Sequence, residues 1–310
     1  MLSLKRGIEI ATITDGKMKN KKIFLYGKDD FSKKSNSEVV VPIKDRKKLI
    51  PNTYFKSHKI PHQTQKELKK YIDEDLTISQ IPLKLQQDYI DIQQLIEHKL
   101  KTELDFTDKN TKLFPLPQKY SERIYVAAPS GSGKSTFIGM YLKQIRIKYP
   151  KRKIFIFSRV EKDEPLDRFS NLERVDLYNF VGKEPQVEDF KNGVLIFDDI
   201  DTILDKKLVH FLRKFRDDVL EVGRHFKITC ISTSHLITNF FATRTLINEA
   251  QAVVLFTKGG AFGQIKSFLD RYLGFDKELI MFLKEVPSRW LYIHKEYPQY
   301  IIYEKGALIF

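Results

Sequence analysis

The 310-residue chain has a single cysteine, no long apolar run and fewer acidic than basic side chains. A lone thiol, Cys230, forms neither an intrachain disulfide nor a multi-cysteine zinc site, which excludes a disulfide-stapled scaffold and points to a reducing compartment. The longest apolar runs are short pieces such as Val194 to Phe197 and Val253 to Phe256, far below the roughly 20 residues that cross a bilayer. No membrane span is expected. The first ten residues, M-L-S-L-K-R-G-I-E-I, meet charge at Lys5 and lack the apolar stretch and small-residue cleavage site of a secretory signal. The protein is expected to stay inside a cell. Lys and Arg number 54 against 40 Asp and Glu, a formal charge of +14, and residues 1–60 hold 15 basic against 6 acidic side chains. Positive charge concentrated in this way favours a polyanionic partner through steering and counterion release.

What is present is a globular composition, 42% hydrophobic and 30% charged, which rules out wholesale disorder. Residues 1–60 alternate basic loops with β-like runs, Gly7 to Thr14 and Lys22 to Tyr26, joined at Asp15-Gly16 as a basic hairpin. From Gln63 to about Phe106 the pattern becomes helical, with Leu85, Tyr89, Ile92, Leu95, Ile96 and Leu100 at spacings of three and four, the mark of one amphipathic helix. Thr107 to Lys119, with Pro115 and Pro117, reads as a linker. The expected division is an accessory region over 1–118 and a larger domain over 119–310. In the latter, β-rich runs alternate with helical ones, as in an α/β domain with a largely parallel sheet. The expected strands are Arg123 to Ala127, Lys153 to Phe157, Val175 to Tyr178, Val194 to Phe197, Ile228 to Ser232 and Ala252 to Phe256, with antiparallel additions at Trp290 to Ile293 and Tyr300 to Tyr303.

The strongest local signal is A-P-S-G-S-G-K-S, between an expected strand and an expected helix. Ala128, Pro129, Ser130, Gly131, Ser132, Gly133, Lys134, Ser135 and Thr136 then form a phosphate loop. Glycines let backbone N–H groups turn inward on the phosphates, and the helix N-terminus adds a favourable dipole. Lys134 is spaced to reach the β- and γ-phosphates of ATP, and Ser135 to place its hydroxyl on Mg²⁺. Ala128 stands where the motif has its first Gly, a position that closes the turn without facing the phosphates. The second signal is V-L-I-F-D-D, an apolar strand ending in two carboxylates at the crevice of an open α/β sheet. Asp198 is expected to hold the metal, and Asp199 to orient the attacking water. A third strand ends in Thr233, Ser234 and His235. In P-loop ATPases with an extra strand between the phosphate-loop and metal-site strands, such residues sense the terminal phosphate, and Ser234 and His235 are the candidates. Arg224, after the helix-ending Gly223, is the candidate to act on a neighbouring subunit's site, with Arg244 and Arg271 as alternates.

Together, the phosphate loop, V-L-I-F-D-D, G-R-H-F-K-I-T-C-I-S-T-S-H and the tail W-L-Y-I-H-K-E-Y-P-Q-Y-I-I-Y-E resemble the poxvirus-type genome-packaging ATPases of large DNA viruses and virophages, within the FtsK/HerA superfamily. The resemblance spans about residues 119–310 and departs at Asp199, where the superfamily often has Glu, and at His235, where Gln or Asn is more usual. It implies a P-loop NTPase of the additional-strand (ASCE) RecA/FtsK-like fold. It further implies an ATP- and Mg²⁺-dependent motor that assembles as a homo-oligomeric ring, pentamer or hexamer, and threads double-stranded DNA into a capsid, with capsid portal or vertex proteins as partners. The implied location is the cytoplasm of an infected cell, at a virus factory, or the virion. Two other functions remain open on the residues: a P-loop nucleoside or nucleotide phosphotransferase, against which stands the lack of a compact arginine cluster after Asp199, and a nucleotide-gated DNA-binding scaffold.

Overall fold

The computed structural model describes residues 2–4, 7–25, 50, 52–106, 110–183, 185–258 and 262–310. Near the N-terminus, β1 (Leu2–Ser3), β2 (Ile8–Asp15) and β3 (Lys22–Leu25) precede α1 (Asn52–Ser57), α2 (His62–Asp73), α3 (Gln86–Thr102), β4 (Glu103–Asp105) and β5 (Lys112–Pro115). There follow β6 (Arg123–Ala127), α4 (Lys134–Lys148), β7 (Ile154–Ser158), α5 (Glu164–Asp167), β8 (Leu172–Arg174), α6 (Leu177–Val181), β9 (Val194–Asp198) and α7 (Lys206–Val222). The chain continues with β10 (Thr229–Ser234), α8 (Phe240–Glu249), β11 (Ala252–Leu255), α9 (Phe262–Leu273), α10 (Lys277–Glu285), β12 (Leu291–His294), β13 (Tyr300–Tyr303) and β14 (Gly306–Ile309).

Ten strands form one sheet in the order β4-β14-β13-β12-β11-β6-β10-β9-β7-β8. The six from β11 to β8 run parallel, and the remaining four add antiparallel at the β11 edge. The central strands β9, β10 and β11 are buried throughout because both faces are covered, and alternate side chains divide between two cores. On one face Tyr125, Leu195, Phe197, Cys230, Val253 and Leu255 meet α7, α8, α9 and α10. On the other, Ile124, Val126, Ile196, Ile231 and Val254 meet Phe137, Tyr141, Leu142 and Ile145 of α4.

The small antiparallel sheet β1-β3-β2-β5 packs on this second face, so that Ile10, Ile23, Leu113 and Phe114 share a core with α4. Phe114 lies 5.1 Å from Phe137 and 5.5 Å from Trp290, ring centre to ring centre. Residues on both sides of position 118 therefore share one core, and β4 is an edge strand of the large sheet. Helices α1 to α3 keep a separate cluster around Phe55, Leu68, Ile72, Tyr89 and Ile92.

Four expectations are corrected. The segment read as a linker contains β5, where Pro115 is tolerated because it ends an edge strand; residues 107–109 lie outside the described residues. The single helix from Gln63 is two, α2 and α3, separated by Asp75 in a left-handed conformation (φ 50°) and by Pro82. The strand expected at Val175 to Tyr178 is β8, three residues earlier, because the Asp176 carboxylate accepts hydrogen bonds from the amides of Tyr178 and Asn179 and starts α6 there. A further strand, β14, closes the tail beyond the two expected. The hairpin β2–β3 forms as expected, with Tyr26 and residues 27–49, which carry a third of the basic excess of residues 1–60, outside the described residues.

Candidate active site

Every expected site side chain except Arg224, Arg244 and Arg271 belongs to the carboxyl end of the parallel strands. Strand β10 pairs with β6 on one side and β9 on the other, so the strand carrying Thr233 and Ser234 separates the phosphate-loop strand from the strand that ends in Asp198. This is the additional-strand arrangement of P-loop NTPases.

The loop from Ala128 to Gly133 turns the chain from β6 into α4. Gly131 and Gly133 have φ of 74° and 101°, conformations costly for any residue with a Cβ. Around a Cβ built on Gly131 there is nothing within 4 Å, and on Gly133 only the Phe256 ring at 3.7 Å, so backbone conformation and not lack of space calls for glycine. The Ala128 amide donates to the Ser234 carbonyl at 3.0 Å, which ties the loop to β10. Ser135 and Thr136 lie in the first turn of α4, where amide groups have no partner within the helix.

Lys134 folds over this loop and donates to the Ala128 carbonyl at 2.9 Å. Its ammonium also stands 3.2 Å from Asp199 Oδ2, and His235 Nε2 lies 3.0 Å from the same oxygen. Lys134 and Asp198 are each only 7% exposed. Asp199 sits just past the strand with φ 44°, a left-handed conformation that Asp and Asn tolerate better than other side chains with a Cβ.

Thr233 joins the two carboxylates. Its hydroxyl accepts the Asp199 amide at 2.8 Å and lies 3.0 Å from Asp198 Oδ1 and 2.9 Å from Asp199 Oδ1. One hydroxyl proton serves two carboxylates. Asp198 Oδ2 accepts a second bond, from Ser158 Oγ at 3.0 Å. Burial above all, and then the neighbouring Asp199 charge, push the Asp198 carboxyl above its ordinary range, while the Thr233 and Ser158 hydroxyls pull it back.

Sequence reasoning missed Ser158 and weighted Ser234 over Thr233. The Ser234 hydroxyl is turned away and accepts the Leu236 amide at 3.3 Å. Strand alternation alone does not choose between Thr233 and Ser234, because the choice depends on the register of β10 against the adjacent parallel strand β9. Ser158 ends β7 and pairs directly with Asp198, a neighbour that only the assembled sheet supplies. Arg224 is exposed in a short turn, Gly223–Phe226, before the start of β10. The six-residue strand separates it from Ser234, roughly 20 Å at about 3.3 Å per residue, so it does not reach its own chain's phosphate loop. Arg244 and Arg271 are exposed on α8 and α9. Among the described residues no group of three or more His, Cys, Asp or Glu forms a closed metal cage, and no helix is long and apolar enough to cross a membrane.

No family model matches the chain. Its fold is similar to that of the genome packaging NTPase B204 from Sulfolobus turreted icosahedral virus 2, solved in complex with AMP, with a TM-score of 0.43, 13% identity and coverage of 60% of this chain and 98% of that one. A second similar structure is the cytoplasmic domain of the type VII secretion ATPase EccC of Thermomonospora curvata, with a TM-score of 0.43, 10% identity and coverage of 66% and 28%. In sequence the chain is 41% identical over 199 residues to the uncharacterized protein V3 of Sputnik virophage, covering 63% of this chain and 80% of that protein. Identity of that depth over most of the relative's length establishes that this chain belongs to the family of the virophage protein V3.

Proposed function

We propose that this chain is an ATP-hydrolysing motor of the FtsK/HerA type that drives double-stranded viral DNA into a capsid. The observation that carries the reading is the convergence of Lys134, Asp198, Asp199, Thr233 and His235 at the ends of three adjacent strands, under a loop whose glycines free its amides. A buried lysine beside a glycine-rich loop at a helix start suits a polyphosphate, and a strand-end carboxylate together with a helix-start serine suits a magnesium ion. Bound Mg²⁺ would supply positive charge against the phosphates, with Ser135 and Asp198 as its holders.

The remaining roles follow from what each side chain is able to do. The amides of residues 129–136 bind phosphate oxygens, and Lys134 adds a point charge. Asp199, whose side chain keeps part of its solvent exposure, orients water and accepts its proton. Thr233 and Ser158 hold the carboxylates, and His235 keeps Asp199 in place and responds to the terminal phosphate. Arg224, remote from its own loop, completes the site of a neighbouring copy in a ring of five or six, with Arg244 or Arg271 as the alternates. Residues 1–118 serve as an accessory region attached to the ATPase domain, and a portal or vertex protein of the capsid is the docking partner. The setting is the cytoplasm of an infected cell, with the motor at the virus factory or on the virion.

ATP turnover of the purified protein with and without duplex DNA tests this reading. Turnover stimulated by the duplex and abolished in Lys134→Ala is expected. Turnover that depends on a small acceptor molecule, or that survives in Lys134→Ala, refutes it.

A further inference from the structure

Arg152 is buried at the opposite end of the parallel strands from the phosphate loop, only 4% exposed, and gathers the turns that enter those strands. Its guanidinium donates to the carbonyls of Tyr120 at 2.6 Å, Asn192 at 2.9 Å and Lys227 at 3.1 Å, to that of Gly193, and to the Thr229 hydroxyl at 3.0 Å. The turns it fixes border a cavity of about 750 Å³ lined by Lys148, Lys151, Lys153 and Lys191 with the rings of Tyr120 and Tyr149. A second cavity, of about 560 Å³, lies between α4 and the small sheet and adds Lys19 and Lys143. The two share Lys148, whose ammonium donates to the Pro117 carbonyl at 3.0 Å. They form one track.

The charge on this track is unbalanced. Lys19, Lys143, Lys151, Lys153 and Lys191 are exposed, and among the described residues none has a carboxylate within 4.0 Å. The two acidic side chains that line the cavities are engaged: Glu9 pairs with Lys22, and Asp189 accepts the Gln186 amide at 2.8 Å. The five hydrogen bonds of Arg152 therefore fix the turns that carry Lys151, Lys153 and Lys191, whose unpaired ammonium groups line a concave surface.

We infer that this track is a binding surface for the phosphate backbone of duplex DNA, separate from the nucleotide site and at the other end of the same strands. The inference rests on the DNA-motor reading and gives it a place of contact. Ring geometry favours backbone contact over base stacking, because the Tyr120 face is covered by the Arg152 guanidinium at 4.3 Å and its edge packs on Tyr149 at 4.5 Å. Neither ring is left as a platform for an unpaired base. Concavity disfavours a flat bilayer, and unpaired lysines suit phosphate charges without sequence readout. Because the strands that start at this track end in Asp198 and Thr233, a shift at one end is carried along the same rigid element to the other.

The test measures affinity of the full chain for a labelled duplex, without nucleotide, across about 50–200 mM salt, so that failure of ATP turnover leaves it intact. The triple variant Lys151→Gln, Lys153→Gln, Lys191→Gln is expected to lower the slope of log affinity against log salt by about 2–3, close to one per lost phosphate contact, and to weaken binding roughly 100-fold or more at low salt. The control variant Lys66→Gln, Lys84→Gln, Lys277→Gln removes as much charge from exposed sites off the track and should leave the slope within about 0.5. An equal loss in the control assigns binding to total charge and overturns the inference. So does an unchanged slope in the track variant, or stronger retention on phosphatidylserine vesicles than on duplex. Should the triple variant melt early, Lys151→Gln alone is expected to lower the slope by about one, and no change in it counts equally against the track.

Discussion

The substitution Thr233→Val isolates the hydroxyl that lies between the two aspartates. Valine keeps the β-branched shape of a side chain that is only 2% exposed, so no cavity opens and the change is confined to hydrogen bonding. The Asp199 amide loses its acceptor at 2.8 Å, and Asp198 Oδ1 and Asp199 Oδ1 lose a shared partner at 3.0 and 2.9 Å. Leaving a buried polar group unsatisfied costs about 1–3 kcal/mol. Asp198 keeps its bond from Ser158, and Asp199 keeps Lys134 and His235, so the orphaned amide accounts for most of the loss. A destabilisation of about 2–3 kcal/mol is expected in urea unfolding. ATP turnover should fall about 10–100-fold at most, since this residue positions acid–base groups that themselves contribute some 10²–10⁴-fold. Thr233→Ser restores the hydroxyl and should recover both quantities, which a packing role for the methyl group would not. Stability of Thr233→Val within about 0.5 kcal/mol of the parent, the range of an ordinary surface substitution, refutes the reasoning.

Asp199→Asn keeps the size, and Asn also tolerates the left-handed backbone, so ATP binding should survive while hydrolysis falls by roughly two or more orders of magnitude in steady-state turnover. Asp198→Asn has an opposite sign for stability and activity: burial raises the native carboxyl above its unfolded value, so the native state binds protons more tightly and this group's contribution to stability is lost as pH rises through the raised value. The nucleotide-free Asn variant should therefore melt no lower than the parent at pH 8 while losing Mg²⁺-dependent turnover. Arg224→Ala chains mixed with Lys134→Ala chains should recover turnover that neither has alone, because some interfaces pair an intact site with an intact arginine. No recovery in rings shown by native mass measurement to be mixed moves that role to Arg244 or Arg271.

The glycine-rich loop and the acidic strand end were legible because their pattern is local: the glycines, lysine and serine lie within a few consecutive positions, and four apolar residues run directly into two carboxylates. The interposed strand was legible as well, since Ile228 to Ser232 is apolar and ends in hydroxyls. Weighting Ser234 over Thr233 could not be corrected from the chain alone, because which of two adjacent hydroxyls faces the aspartates depends on strand register, and a shift of one residue reverses the face. Ser158 was invisible for a related reason. Its partner is 40 positions away and is reached only because β7 lies beside β9.

Composition and local order by themselves determined the class of the fold, the glycine-rich loop between strand and helix, the acidic strand end and the excess of positive charge. Tertiary structure decided the rest. It turned the expected linker into an edge strand, because Leu113 and Phe114 find apolar partners on α4 and Trp290 that no local pattern reveals. It set Arg224 at the far end of β10 from the phosphate loop, and it drew lysines from four separate segments onto one track around a buried arginine. Spacing along a chain fixes what neighbouring residues are able to do, whereas long-range pairing fixes which distant residues act together, and that pairing is settled only when the core closes.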